Sequence, residues 1–437
     1  MLFACVGYAL LGTEELVHDL SFFALLARRA LFASAPWRRV TAEEEIRPWT
    51  GAWMAVFVPA WRESKVIRAM LRTSLQQYDY PDYRIFVGHY RNDPDTLEEI
   101  AKVKDRRVVP VEVDVDGPSS KADCLNHLYA ALTLFEEAEG RQARAVVFHD
   151  AEDVVHPLEL RLFDRFIGEA DAVQLPVVPL IHRRSLWVSG HYADEFAEAH
   201  GKDLVLRQAL GAAVPLAGVG CAIGRVPLMR LAARGDGRPF PVDSLTEDYE
   251  IGLKLGAMGL RTVFLRLAQR DDVQPVATKA YFPATIEDAV RQKSRWVGGI
   301  AMAGWDRLGW RGGFAERWMR LRDRKAMLAA LVMLAGYVAA LFWLIGLLCG
   351  ISISISPLTG NLLILNGLLL IWRLIMRAGF TASLYGWRQG LCAIPRALVS
   401  NLVAILSARR AWLDHAAGGP KRWEKTDHIF PEDQGRE

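Results

Sequence analysis

Two hydrophobic patterns divide the chain. From Trp53 to about Arg266, short β-rich runs alternate with stretches in which apolar residues recur every three to four positions. Trp53–Ala60, Tyr83–Tyr90, Arg107–Val113, Arg144–Asp150 and Ala172–Leu180 read as strands, and Ser64–Gln76, Ser120–Glu137 and Pro157–Ile167 as helices. Such alternation predicts an α/β layer fold with a largely parallel central sheet, which binds ligands beyond the carboxyl ends of its strands. Glu63, Asp93, Lys121 and Asp150 all follow apolar strands or open helices, where such a ligand would lie.

The second pattern is unbroken apolarity. Ala326–Gly350 carries no charge and is long enough to cross a hydrocarbon core, which takes about 20 residues. Ile351–Asn361 is neutral, Leu362–Met376 is a second apolar stretch broken by Arg373, and charge returns at Arg377, Arg388, Arg396, Arg409 and Arg410. That distribution of Lys and Arg puts the catalytic region and the C-terminus in the cytosol. Leu391–Ser407 carries Pro395 and Arg396 mid-way and reads as a surface-lying or re-entrant helix rather than a span. At the other end, Leu2–Gly12 is too short to cross and lacks a cleavage site. It reads as the tail of a spanning helix begun upstream of Met1, with Arg28, Arg29, Arg38 and Arg39 as its cytosolic stop. An interfacial helix is the alternative.

Five regions result: 1–45, an N-terminal membrane or interfacial helix; 46–280, a cytosolic α/β domain; 281–325, an interfacial helical region; 326–380, two transmembrane helices; and 381–437, an interfacial or re-entrant helix and cytosolic tail. Composition adds little and removes one class. The net charge of +3 over 437 residues argues against nucleic acid as a partner. Basic residues stand beside apolar runs, as an anionic membrane face requires. The five cysteines are scattered without metal-ligand spacing and read as reduced thiols.

Asp150-Ala151-Glu152-Asp153 follows the apolar strand Ala145–Phe148, so its carboxylates face the crevice and can hold a hard divalent cation, Mg²⁺ or Mn²⁺. Such an ion neutralises a departing diphosphate; the plainer reading is an acidic turn capping the helix near Pro157. Thr246-Glu247-Asp248 opens a helical pattern and is either a Thr cap with acids in its first turn or the seat of a general base, Asp248. Lys121 begins a helix, a place that suits a phosphate, and Asn126 on that helix is a ligand contact or merely satisfied in the core. Gly218-Val219-Gly220-Cys221 permits close approach to the backbone or turns into a strand. Gln292, Arg295 and Trp296 share one helical face, with planar donors for a pyrophosphate and a flat ring for a sugar or base. An amphipathic interfacial helix explains the same residues.

The order of acidic strand-end motif, T-E-D and Q-x-x-R-W resembles the family 2 inverting glycosyltransferases of the GT-A fold, in their membrane-embedded polysaccharide-synthase branch. Val58–Trp61, Asn92–Thr96, Ser120–Asn126, His149–Asp153, Ser244–Tyr249 and Trp423–Thr426 resemble the phage-adsorption protein B type, a bacterial inner-membrane transferase linked to a surface exopolysaccharide. The similarity runs to about Pro431. It implies that Asp150 contacts the nucleotide, that Glu152 or Asp153 meets the metal and that Asp248 is the base beside Glu247. It also implies that Gln292, Arg295 and Trp296 hold donor and acceptor, with Glu63 near the nucleoside and Lys121 near the diphosphate.

Three departures stand out. Arg62 replaces the usual Asn before Glu63, and Gly88–Asp93 replaces the usual paired aspartates, leaving Asp93 as the uracil contact. Relatives of the adsorption type often carry a further cytosolic module implicated in cyclic-di-GMP sensing, and the stretch up to Glu437 gives no expectation of that control. The expected activity is single-displacement transfer from a UDP-sugar to a growing exopolysaccharide at the bacterial inner membrane, with an outer-membrane export or phage-receptor partner. Transfer of one sugar to a polyprenyl phosphate and a non-catalytic phage-receptor or secretion scaffold are the rivals.

Overall fold

The apolar runs of the first half build the sheet that positions the site. Met54–Pro59 (β1), Tyr83–Tyr90 (β2), Val108–Val113 (β3) and Ala145–Phe148 (β4) lie parallel in the order β3-β2-β1-β4. Residues of β1 alternate between two cores, with Met54, Val56 and Val58 on one face and Ala55 and Phe57 on the other. Both faces of the strand are therefore covered, the usual setting of a parallel strand. The computed structural model describes residues 1–32, 40–270, 274–351, 355–418 and 428–431.

Beyond β4 the sheet departs from the simple alternation. The run expected as one strand over Ala172–Leu180 is two, Ala172–Gln174 (β5) and Val177–Leu180 (β6), in different sheets. Pro176 lies between them and has no N–H to continue a central ladder. Cys221–Gly224 (β7) runs antiparallel between β4 and β5, and Thr262–Phe264 (β8) closes the edge, giving seven strands ordered β3-β2-β1-β4-β7-β5-β8. Thr278–Tyr281 (β9) pairs with β6 in a second, two-stranded parallel sheet. The whole is a mostly parallel GT-A-type sheet with helices on its faces.

Three helices form where the spacing places them, at Ile67–Gln77, Lys121–Glu139 and Glu159–Phe166. The helices that matter below are α1 (Leu2–Phe32), α2 (Lys121–Glu139), α3 (Val188–Glu198), α4 (Glu247–Ala257), α5 (Ile286–Trp296), α6 (Phe314–Arg324), α7 (Ala326–Leu348), α8 (Pro357–Tyr385) and α9 (Trp387–Ala416). By length and composition α7, α8 and α9 are each able to cross a membrane. Two expectations change. The Leu391–Ser407 stretch belongs to one unbroken 30-residue helix despite Pro395, and α8 starts at Pro357, capped by Ser356, inside the stretch read as a neutral loop.

The helix α1 runs far past Gly12. Its face at Glu14, Glu15 and Asp19 is ion-paired: Glu14 and Glu15 with Arg322 at 2.7 and 3.1 Å and with Lys325, and Asp19 with Lys202 at 2.5 Å. Trp372 of α8 also donates to Asp19 at 2.8 Å. Arg38, Arg39 and Trp423–Thr426 lie outside the described residues.

Further along, α8 and α9 are bonded to the α/β domain through α3. Arg373 pairs with Glu198, Thr381 donates to Asp194 at 3.2 Å, Arg396 meets Asp194 at 2.9 Å, and Ser400 donates to Glu195 at 2.7 Å. The last turns of α8 and one whole face of α9 thus rest on protein.

Phe57 carries the strands that deliver the site, packing edge-on against Phe86 and Phe148 with both centroid separations 5.9 Å. Phe57→Ala is expected to cost about 3–5 kcal/mol, read as a lowered thermal midpoint of the purified chain, whereas a surface change such as Leu134→Ala on α2 leaves it within about 0.5 kcal/mol.

Candidate active site

The carboxyl ends of β3 and β4 bring two opposite charges together. Ser120 accepts from the Asp123 N–H at 3.1 Å and caps α2, which fixes Lys121 at its first turn. The Lys121 Nζ lies 2.5 Å from Asp150 Oδ1, just past the end of β4. Both line a cavity of about 120 Å³ together with Glu152 and Asp153. Glu247 and Asp248, opening α4, form another wall, and Gln292, Arg295 and Trp296 of α5 close it. Residues far apart in sequence and on four elements therefore meet in one space.

Negative charge is crowded here. Burial first, then the neighbouring Asp248, pushes the Glu247 carboxyl up to about 7. Burial also raises Asp248, although Lys121 and Arg295 pull it down. Burial works against the Lys121 ammonium too, yet Asp150, Glu247 and Asp248 outweigh it and hold the ammonium above its usual range. Lys121 is the cavity's internal counterion.

Within the strand-end motif the three acids have different tasks. Asp153 Oδ2 accepts from the Asp150 N–H at 2.9 Å and pairs with His149 Nδ1 at 3.0 Å. The other His149 nitrogen reaches Glu159 at 2.7 Å, and Tyr78 donates to that same Glu159 oxygen at 2.9 Å. Opposing burial, Glu159 and Asp153 raise the imidazole to about 10, so it is charged and braces the turn from behind. Asp153 is committed inward. Asp150 and Glu152 are the acids that line the cavity away from that brace, Asp150 paired with Lys121 and Glu152 Oε2 lying 3.2 Å from His428 Nδ1. Burial raises Glu152 to about 8 against the pull of His428, with Asp150 and Glu63 adding to the rise. A divalent ion would relieve that strain, so an oxygen donor set suits Mg²⁺ or Mn²⁺ through Asp150 and Glu152.

Several open readings resolve. Thr246 stands at the N-cap of α4, but its side chain makes no capping bond. It presses on Gly299 in the π-helical turn after α5, where an added Cβ would come within 2.4 Å of Thr246 Oγ1. Gly218 has φ +74°, and a Cβ there would meet Asp248 Oδ2 at 2.7 Å. What approaches that glycine is the carboxylate of Asp248, and the glycine-rich segment turns into β7. Asn126 bonds the Phe240 backbone in both directions, at 2.8 and 3.1 Å, and staples the loop leading to Thr246.

Glu63 and Asp93 stand off the cavity wall. Asp93 Oδ2 accepts from the Arg62 N–H at 2.5 Å, where Arg62 takes φ +56°. Glu63 is buried and accepts at 3.0 Å from His428 Nδ1, which also lies 3.2 Å from Glu152. His428 is the site residue that sequence reasoning missed. Its one signal was position, two residues beyond the quoted Trp423–Thr426 string. Trp296 lines the cavity and also packs against aromatic neighbours, 6.2 Å from Tyr192 and 6.4 Å from Phe196.

The electrostatics predict a pH signature. With the folded carboxyl of Glu247 raised above its unfolded value, its favourable contribution is complete below about pH 4 and lost as pH climbs through about 7. Glu247→Gln should therefore stabilise the metal-free chain by roughly 1–3 kcal/mol at pH 8 and by little at pH 5, read from thermal unfolding at the two pH values.

The chain is similar to several known proteins. The family model described as "Glycosyltransferase like family 2" matches residues 51–299. Bacteriophage adsorption protein B of Escherichia coli (strain K12) is 35% identical over 455 residues, covering 96% of this chain and 60% of that protein. Bacteriophage N4 adsorption protein B of Escherichia coli O157:H7 matches with the same identity and coverage. The chain thus spans about three fifths of the length of the curated relatives it matches. Among solved structures, the mannosyltransferase PcManGT from Pyrobaculum calidifontis, in complex with GDP-Man and Mn²⁺, superposes with a TM-score of 0.50 at 18% identity, over 92% of this chain and 99% of that one. That likeness is one of fold, and the matched family segment contains β1 to β9 and every acid of the cavity. The chain belongs to glycosyltransferase-like family 2.

Proposed function

We propose that this chain is a metal-dependent, inverting glycosyltransferase of the bacterial inner membrane that moves a sugar from a UDP-sugar to a growing exopolysaccharide. The observation that carries the reading is the convergence of Lys121, Asp248 and the Gln292–Arg295–Trp296 face on one cavity. A cation for the diphosphate, a carboxylate for the acceptor and a planar surface for the sugar are the parts that such a transfer requires.

Asp248 is the general base. Burial raises its carboxyl toward the pH at which it works, and Glu247 next to it keeps the local field negative, so a proton from an acceptor hydroxyl is taken up readily. Lys121 exchanges Asp150 for the diphosphate as donor binds, and Arg295 adds planar donors from the opposite wall. Gln292 Oε1 is buried without a partner and is ready to accept from a sugar hydroxyl. A divalent cation on Asp150 and Glu152 would supply charge neutralisation for the leaving diphosphate. The cavity offers Asp248 as a base rather than a nucleophile flanked by one, in keeping with a single displacement that inverts the anomeric carbon.

The membrane placement follows the regions given by the sequence. α7 and the first half of α8 cross, while α9 stays in the interface because its inner face is bonded to Asp194 and Glu195 of the catalytic domain. The Q-x-x-R-W helix α5 packs on α9, with Ser407 donating to the Val290 carbonyl at 3.5 Å, which sets the cavity at the membrane surface. The relatives are named for phage adsorption, which supports a phage-receptor partner, and the exopolysaccharide acceptor and export partner rest on the resemblance of the sequence motifs. The GDP-Man bound by the archaeal mannosyltransferase brings GDP-sugars into the donor screen.

Nucleoside diphosphate release from the purified full chain, screened over UDP- and GDP-sugars with and without EDTA, tests the reading; release that ignores EDTA or is absent with every donor overturns it. Sizing of radiolabelled product separates a polymer ladder from the single lipid-linked band of a polyprenyl-phosphate transferase. Asp248→Asn is expected to lower transfer at least about a thousandfold while leaving donor affinity within about threefold, measured by turnover and equilibrium donor binding. Equal loss of both removes Asp248 from the role of base.

A further inference from the structure

The turn between β6 and α3 holds two large apolar side chains in the open. It is firmly built: Ser185 Oγ donates to the Ala284 carbonyl at 2.5 Å, Ser189 Oγ to the Ser185 carbonyl at 2.7 Å, and the His182 N–H to Ser189 Oγ at 2.8 Å. Leu186 and Trp187 are nevertheless 53% and 54% exposed at its tip, beside the exposed Arg183 and Arg184. Each apolar side chain forgoes on the order of 1 kcal/mol of burial in water. A fixed turn that keeps such residues outside has something to put them into.

The surroundings identify it. Arg396 of α9 donates to the Leu186 carbonyl at 3.5 Å, so the turn lies against that helix. On its face turned away from Arg396, α9 exposes Trp387, Leu391, Ile394, Leu398 and Leu402, which fall on one stripe at helical spacing. Its opposite face carries Arg396 and Ser400, bonded to α3. No carboxylate side chain occurs from Ala172 to Ala193, nor from Arg324 to Leu413. The turn and the α9 stripe are each apolar and carry Arg183, Arg184 and Arg388 about them, with Glu287 and Asp288 the neighbouring acids on α5, beyond Ala284. Trp and Arg at the edge of an apolar stripe match the chemistry of the bilayer interface.

We propose that the Arg183–Trp187 turn is a membrane-inserting anchor for anionic phospholipid. Leu186 and Trp187 enter the acyl boundary, and Arg183 and Arg184 take the lipid phosphates. The anchor has a direct line to the cavity: β6 and α3, on its two sides, contribute Val177 and Phe196 to the cavity wall. Lipid at the turn thus fixes the height and tilt of that wall. The inference rests on the membrane placement proposed above and is independent of sugar transfer.

The test uses the full chain in lipid nanodiscs of phosphatidylcholine with and without phosphatidylglycerol. Cys349→Ser and Cys392→Ser remove the exposed thiols and leave Cys5, Cys124 and Cys221 buried. Trp187→Cys then carries an environment-sensitive fluorophore quenched by spin-labelled lipid, and Leu134→Cys, exposed at the end of α2 remote from the cavity, is the control. Quenching at 187 is expected to exceed that at 134 about fivefold in the anionic discs, and to fall at least about twofold in Arg183→Glu/Arg184→Glu or without phosphatidylglycerol. Equal quenching at the two positions overturns the anchor. Quenching indifferent to both charge reversal and lipid charge overturns the anionic-lipid assignment. A label shielded from aqueous iodide in native membranes but untouched by spin-labelled lipid assigns the face to a protein and likewise overturns the proposal. Co-elution of each variant with the disc scaffold reports separately whether the chain is a membrane protein at all.

Discussion

One ammonium group among carboxylates holds the site together. Lys121 meets Asp150 at 2.5 Å, and its charge also offsets Glu247 and Asp248 across the cavity. Without a cation these acids could not share so small and buried a space in ionised form. The sheet brings Asp150 from β4, the Ser120 cap brings Lys121 from α2, and Gly218 gives way for Asp248. The same crowding that makes the cavity unstable when empty makes it receptive to a divalent ion and a diphosphate. A binding site and a local weakness are here one electrostatic fact.

The second constraint is the seam between catalytic domain and membrane helices. Asp194, Glu195 and Glu198 of α3 are met by Arg396, Ser400 and Arg373. Through Lys293, 2.5 Å from Glu195, the Q-x-x-R-W helix joins the same seam. The wall that presents Arg295 and Trp296 is thus joined to α8 and α9, helices long and apolar enough to cross a membrane. Those helices and the cavity are mechanically continuous.

Much of this was legible in the sequence, for definite reasons. Central parallel strands buried on both faces show as unbroken apolar runs, so β1, β2 and β4 could be read directly, while the edge strand β3 showed only as a short β-rich run, and the acids that follow these strands were read as lying at the sheet's ligand-binding edge. The split at Pro176 was hidden because the residues on both sides are equally apolar. The antiparallel β7 was legible only as one of two readings of Gly218–Cys221, because four residues after a glycine turn carry no period. The Thr246 cap reading holds for position and for the acids of the first turn, but not for the side chain, which makes no capping bond and lies against Gly299, distant in sequence. His428 was beyond reach for a similar reason: only tertiary folding brings it to Glu63 and Glu152. The length of α9 was missed because Pro395 and Arg396 argue locally for a break, whereas Arg396 is satisfied by Asp194 from another element.

The most direct test of the account is the affinity of the cavity for a nucleoside diphosphate. Calorimetric titration of UDP and GDP into the purified full chain, with and without Mn²⁺, should show metal-dependent binding that weakens at least about tenfold in Lys121→Met, or about 1.4 kcal/mol. Equal affinity in the variant, or binding indifferent to Mn²⁺, would contradict the claim that Lys121 and the strand-end acids form a diphosphate site.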